Sequence, residues 1–139
     1  MGIHLKRMQP GDELDFAEIH PDVFDEPIHP ERLEVYLLEP NHLMILAFDD
    51  GLVVGQCAAV IHRHPDKLTE LYIDEVGTAS THLRQGIATR MVEAMFQWGR
   101  ELGCREAWLG TELDNVEANG LYRKLGGKAD HMHYYEFAL

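Results

Sequence analysis

Apolar positions recur along the chain with two periods, and the switches between them mark the elements. Ile3 and Leu5 alternate with His4 and Lys6, the two-residue period of a half-buried strand running to Met8. Pro10-Gly11-Asp12 interrupts it, and Asp12 is placed to cap a helix through about Ile19, which His20-Pro21 stops. Pro30 suits the first position of a second helix, because its φ is preset and its missing N–H would have no intrahelical partner there. Leu33, Tyr36 and Leu37 give that helix an apolar stripe, and Glu39-Pro40-Asn41 ends it. Residues 42–48 and 52–61 are apolar, β-rich runs joined by Asp49-Asp50-Gly51, whose last residues tolerate positive φ; this predicts a hairpin, with Gly55 marking a bulge or a tight packing contact.

A polar loop over 62–67 leads into a strand over 68–77. Ile87, Met91, Met95, Trp98 and Leu102 then recur at steps of 4, 4, 3 and 4, one face of a long helix closed by Gly103. Residues 105–111 read as a buried strand of the parallel type. Asp114, with Glu117 three residues on, resembles a capped helix start. That helix turns Ala118, Leu121 and Leu125 inward and ends at Gly126-Gly127, and residues 128–139 are strand-like. The predicted order is β-α-α-β-β-β-α-β-α-β, an α/β (mixed α+β) fold with a central mixed, mostly antiparallel sheet flanked by helices.

The 139 residues leave room for one domain, 1–139, and contain no repeat or linker. No apolar run approaches the ~20 residues of a membrane span, and the first residues lack the apolar core of a signal peptide, so the expected location is cytoplasmic. Lys and Arg total 12 against 24 Asp and Glu, a net charge of −12, which repels nucleic acid and anionic membranes. Residues 12–39 hold ten acids and one base, Arg32. Such a segment is either a solvated helical face or a surface that gathers cations. Cys57 and Cys104 lie in apolar stretches as small core residues. His62 and His64, and likewise His131 and His133, are two apart, which puts each pair on one strand face; with no third ligand evident, no metal is expected.

Two segments carry chemistry. Leu83-Arg84-Gln85-Gly86-Ile87-Ala88-Thr89 lies between a strand and the long helix. Gly86 lets an anion approach the backbone, and the free N–H groups of the first helical turn point at it with the helix dipole behind them. In outline this is a pyrophosphate site. The second segment runs Asn115-Val116-Glu117-Ala118-Asn119-Gly120-Leu121-Tyr122-Arg123-Lys124-Leu125-Gly126, where Asn115 reads as a cap or a ligand and Tyr122 as a core aromatic or a proton donor.

Together, x-R-Q-G-I-A-T opening an amphipathic helix and N-x-x-A-x-x-L-Y-x-x-x-G after the next strand resemble the GNAT superfamily of N-acetyltransferases, and the likeness covers essentially the whole chain. Val53-Val54-Gly55 and Leu102-Gly103-Cys104 fit it too. Within the superfamily the chain most resembles the small aminoglycoside 3-N-acetyltransferases of the gentamicin-resistance type, in Tyr72-Ile73-Asp74-Glu75, in Arg84 to Thr89 and in Met132-His133-Tyr134. The resemblance implies the GNAT fold and acetyl transfer from acetyl-CoA to a primary amine of a small cationic acceptor. It implies that backbone groups of Val76, Gly77 and Thr78 hold the pantetheine arm, that those of Arg84, Gln85, Gly86, Ile87, Ala88 and Thr89 cradle the pyrophosphate, and that Asn115 bonds the cofactor near the thioester. Tyr122 would protonate the departing thiolate. Leu83 departs from the family, which usually has Arg or Gln there. That predicts weaker phosphate binding, with Arg84 in place to restore the charge.

A protonated amine must lose a proton before it attacks a thioester. Glu75 aligns with the family's acid and is the expected base; the alternative is a solvated Glu75 with Asp74 as the functional carboxylate. In a regular strand its neighbour Asp74 faces the other side, so at most one of them points at the reaction. The family's acceptor cleft would be bordered by Asp25, Glu26, Asp74, Glu112 and Asp114. The alternative acceptors are a polyamine, an amino acid or a peptide N-terminus, and the alternative class is a non-catalytic acetyl-CoA-binding module. The superfamily often forms homodimers.

Overall fold

At the centre of the sheet stands the hairpin predicted at Asp50-Gly51. Both residues have positive φ, 49° and 85°, as a two-residue turn matched to strand twist requires. It joins β2 (His42–Asp49) to β3 (Leu52–His62) with Asp49 opposite Leu52. The residues described are 2–139 of a computed structural model, and they fall into two compact units, 2–109 and Gly110–Leu139.

In the first unit, β1 (His4–Arg7), β2, β3, β4 (Glu70–Thr78) and β5 (Glu106–Trp108) lie side by side in chain order. The first three pairings are antiparallel and β4–β5 is parallel, so the sheet is mixed and mostly antiparallel, as expected. Most of β2 and β3 is buried at consecutive positions, which requires cover on both faces. The long helix α2 (Ile87–Glu101) packs on β2, β3 and β4 through Ile87, Met91, Met95 and Trp98. Phe16, Val23, Leu33 and Leu37, from the segment between β1 and β2, add to the core. Gly55 is a packing contact: a Cβ there would lie 3.0 Å from Met91 Cε and 3.2 Å from Ile87 Cγ2.

The helix starting at Pro30 is α1 (Pro30–Leu38), capped by His29, whose Nδ1 accepts from the Arg32 N–H at 3.4 Å. The helix expected over residues 12–19 is only a 3₁₀ turn, Glu13–Phe16. Asp12 makes no forward cap there. Its carboxylate accepts from the Gln9 N–H at 2.8 Å and faces Lys6 at 3.8 Å, while Lys6 reaches Asp15 at 2.6 Å. These contacts turn the Asp12 carboxylate back toward β1 and away from a cap.

The second unit contains α3 (Val116–Lys124), with Ala118, Leu121 and Leu125 half-buried. Residues 128–139 form no strand and are exposed. A strand needs a partner for its backbone groups, and the second unit offers none. Likewise β5 covers only Glu106–Trp108 rather than 105–111, and its residues are exposed rather than buried.

Candidate active site

The base expected on β4 sits beside an irregularity. Ile73 faces Ala59 and Glu75 faces Ala58, so Asp74 is an extra residue with no partner on β3. This bulge cancels the alternation that would send Asp74 and Glu75 to opposite faces. Both are solvent-accessible, and they interact. Partial desolvation first, then the Asp74 charge and then that of Asp25, push the Glu75 pKa above the ordinary carboxylate range, against a hydrogen bond from Gln56. Desolvation raises Asp74 as well, offset by a backbone hydrogen bond and by His42. The same field acts beneath the bulge, where burial first and the Asp74 charge second push the Cys57 thiol up to about 12. Tyr36, which donates to the Leu43 carbonyl at 3.3 Å, is raised by burial and then by Asp74 and Glu75.

The sequence reading missed Gln56. It is 1% exposed, the one polar side chain among the buried residues of the described structure, and its Nε2 donates to Glu75 Oε1 at 3.5 Å. Its signal was present: a lone amide inside the apolar run Val53-Val54-Gly55-Gln56-Cys57-Ala58-Ala59. Among the described residues, two buried side-chain polar atoms lack a hydrogen-bond partner, Gln56 Oε1 and Thr78 Oγ1. Gln56 pairs with Gly77 and Thr78 follows, so both orphaned acceptors belong to the stretch of β3 and β4 next to Glu75. Unsatisfied buried groups concentrated in one place are what a ligand site presents before its ligand arrives.

The acidic segment is fixed to this place by backbone contacts. The Val53 N–H donates to the Glu18 carbonyl and the His20 N–H to the Val53 carbonyl, each at 2.9 Å. Asp22 accepts from the Ser80 N–H at 3.0 Å and pairs with His20 at 2.5 Å, and the Ser80 and His20 bonds hold its pKa low. Val23 crosses Gly77 so closely that a Cβ on Gly77 would lie 2.4 Å from the Val23 oxygen. Two residues on, Asp25 is exposed and its charge reaches Glu75; Glu26 is exposed beside it.

The anion-binding turn is also built. Arg84 (φ 61°) and Gly86 (φ 76°) both adopt the left-handed conformation just before α2, and such turns aim successive N–H groups into a concavity. No atom lies within 4 Å of a Cβ added to Gly86, so the glycine answers to the backbone conformation and leaves open space over the helix N-terminus. Gln85 is exposed, Ile87 is buried in the core, and Ala88 and Thr89 are half-buried in the first turn of α2. Beside it, β4 pairs with β5 only over Glu70–Tyr72 while continuing to Thr78. Val76, Gly77 and Thr78 therefore present an edge to which an extended chain can add by strand-like hydrogen bonds. These features fit the pantetheine and pyrophosphate of a coenzyme A thioester.

In the second unit Asn115 caps α3, its Oδ1 accepting from the Ala118 N–H at 3.1 Å, so the cap falls on Asn115 and not on Asp114. Asn119 Nδ2 bonds the carbonyls of Asn115 at 2.7 Å and Glu112 at 3.0 Å and closes the preceding turn. Tyr122 is half-buried two turns beyond Asn115, and Glu112 and Asp114 are exposed.

The chain is 26% identical over 110 residues to the aminoglycoside N(6')-acetyltransferase type 1 of Salmonella typhimurium, covering 72% of this chain and 75% of that protein. Among solved structures it is similar to an aminoglycoside acetyltransferase from an uncultured soil metagenomic sample, with a TM-score of 0.86, 19% identity, and 99% and 97% of the two chains covered. It is also similar to the aminoglycoside N-acetyltransferase AAC(6')-Iy in complex with CoA, with a TM-score of 0.81, 18% identity, and 99% and 96% covered. The named curated relative is a 6'-enzyme, which leaves the 3-N likeness unsupported while agreeing with the wider group. Residues 12–127 match the acetyltransferase (GNAT) family, a span holding the β4 bulge, the left-handed turn before α2 and the capped helix α3; the chain belongs to that family.

Proposed function

We propose that this chain transfers an acetyl group from acetyl-CoA to a primary amine of a small, multiply cationic acceptor of the aminoglycoside class, and that 1–139 act as one N-acetyltransferase domain. The observation that carries the acceptor class is the negative field at Glu75, made by Asp74 beside it and Asp25 from the pinned segment. The names of the relatives support the same class.

Acetyl-CoA supplies the activated acetyl thioester. Glu75 takes the proton from the acceptor ammonium. Its raised pKa brings it nearer the operating pH, which makes it a better base than an ordinary glutamate. Gln56 holds that carboxylate by its Nε2 and keeps it oriented. The Val76 N–H serves as a donor to the carbonyl oxygen as negative charge develops there. Tyr122 protonates the departing thiolate, and Asn115, whose Oδ1 is committed to the cap, has its amide N–H groups for the cofactor. Arg84, Gln85, Gly86, Ile87, Ala88 and Thr89 hold the pyrophosphate. Asp25, Glu26, Asp74, Glu112 and Asp114 bind the acceptor's ammonium groups.

The test is acetyl-CoA turnover against a panel of aminoglycosides, polyamines and short peptides, with NMR of the product to decide between the 3-amino and 6'-amino positions. Faster acetylation of a peptide or a monocationic amine than of any aminoglycoside would refute the acceptor class.

A further inference from the structure

A row of side chains crosses the sheet at the end remote from Glu75. His62 ends β3, Glu70 opens β4, and the two stand directly opposite in the antiparallel register. Glu106 of β5 is in turn the register partner of Glu70. His64, in the loop between the strands, returns to this row. Its ring lies 4.0 Å from that of His62, centroid to centroid, and its Nε2 contacts Glu70 Oε2. One ring nitrogen from each histidine and a Glu70 carboxylate oxygen all lie within 4.8 Å of one another. Spacing in the sequence pairs only the two histidines; the third group comes from the facing strand.

From this juxtaposition we infer that His62, His64 and Glu70 form a binding site for a divalent cation of the zinc class. Two imidazoles and one carboxylate suit a borderline ion such as Zn²⁺ or Co²⁺, whereas Mg²⁺ and Ca²⁺ favour oxygen donors throughout. A tetrahedral ion with bonds of ~2.1 Å needs ligand atoms about 3.4 Å apart, so the exposed His62 must move inward while the contacting His64 Nε2 and Glu70 Oε2 part to admit the ion. Three protein ligands leave the fourth position to water. The loop that carries His64 is already held in place. Arg63 donates to Asn41 Oδ1 at 2.6 Å, the Arg105 N–H donates to the Thr69 carbonyl at 2.9 Å, and Pro65 restricts the backbone of His64 to extended conformations. Glu106 adds a second negative charge to the row.

Glu75 lies five positions beyond Glu70 along β4, about 16 Å of strand, so the ion is not positioned for acetyl transfer. Its effect is to clip the β3–β4 connection closed.

Titration of the purified full chain with Zn²⁺, followed by calorimetry and by thermal unfolding, should show one saturable site per chain and a rise in Tm, and Co²⁺ should develop the visible absorption of a tetrahedral complex. His62→Ala and Glu70→Gln should each weaken binding by about tenfold or more, since loss even of an outer-shell partner costs 10–100-fold, and should remove the Tm rise. His131→Ala/His133→Ala should leave both intact. Binding that survives His62→Ala and Glu70→Gln, that disappears in the His131/His133 variant, or that never saturates would overturn the site.

Discussion

Gln56 and Glu75 are diagonal neighbours across β3 and β4, the amide Nε2 donating to the carboxylate at 3.5 Å. Glu75→Gln keeps this contact, because the new side chain still offers an oxygen, but removes the charge. The raised folded-state pKa of Glu75 means that its ionised form is less welcome in the folded than in the unfolded chain. That cost is absent below the ordinary carboxylate range of about 4.3 and grows as pH rises through the raised value. Glu75→Gln should therefore have a higher Tm than wild type near neutral pH and lose the advantage near about pH 4. Its kcat should fall by ~10²–10⁴-fold if Glu75 is the base. Equal Tm at both pH values would remove the electrostatic account.

Gly77→Ala and Gly55→Ala should differ. At Gly55 the crowding atoms belong to side chains, chiefly the flexible end of Met91, whereas at Gly77 the obstacle is the Val23 backbone oxygen at 2.4 Å. Overpacking that side chains can relieve costs about 1–3 kcal/mol. Chemical denaturation should place Gly77→Ala below Gly55→Ala in stability.

Acetyl-CoA should raise the Tm of the wild type by mass action. Gly86→Val forces a branched residue into φ 76°, a strain of order 1–3 kcal/mol, and fills the open space above the α2 N-terminus. The variant should start from a lower Tm and show no rise with acetyl-CoA. A folded variant with the full ligand-induced rise would move the phosphate site elsewhere.

Tyr122→Phe should lower kcat by ~10²-fold with little change in the acetyl-CoA KM, because a proton donated to the leaving group acts in the transition state. Unchanged turnover would return Tyr122 to a packing role.

Asp25→Asn/Glu26→Gln should raise the KM for a tricationic or tetracationic amine about tenfold, as loss of a charge-assisted contact would, and leave that for acetyl-CoA alone. Raising salt from about 50 to 500 mM should weaken the wild type more than the variant, since screening acts on an attraction the variant has already lost in part. Kinetics indifferent to both changes would make the acidic segment a solvated face.

What could be read from the residues followed from strong local rules. The 4, 4, 3, 4 spacing along α2, Pro30 opening α1 and the Asp50-Gly51 turn each rest on a few neighbouring residues, and each element is present. Features set by partners distant in sequence were not legible. The 3₁₀ turn in place of a helix depends on Lys6 reaching Asp15. The bulge at Asp74 exists only in the pairing with Ala58 and Ala59, and without it Asp74 and Glu75 would be assigned opposite faces. Glu70 escaped notice for the same reason, gaining its meaning from the strand opposite, whereas Gln56 is marked in the sequence as a lone amide in an apolar run and only its partner Glu75 is not.

The early end of the β4–β5 pairing gives this sheet a stretch with two uses. Beyond Tyr72, alternate peptide groups of β4 aim away from β3, with no β5 residue registered against them. The amides at these positions should exchange with deuterium far faster than those facing β3, despite lying in the same strand. A bound thioester arm running along that edge would slow them selectively. The exchange pattern along a single strand would thus report ligand occupancy residue by residue, without any need for turnover.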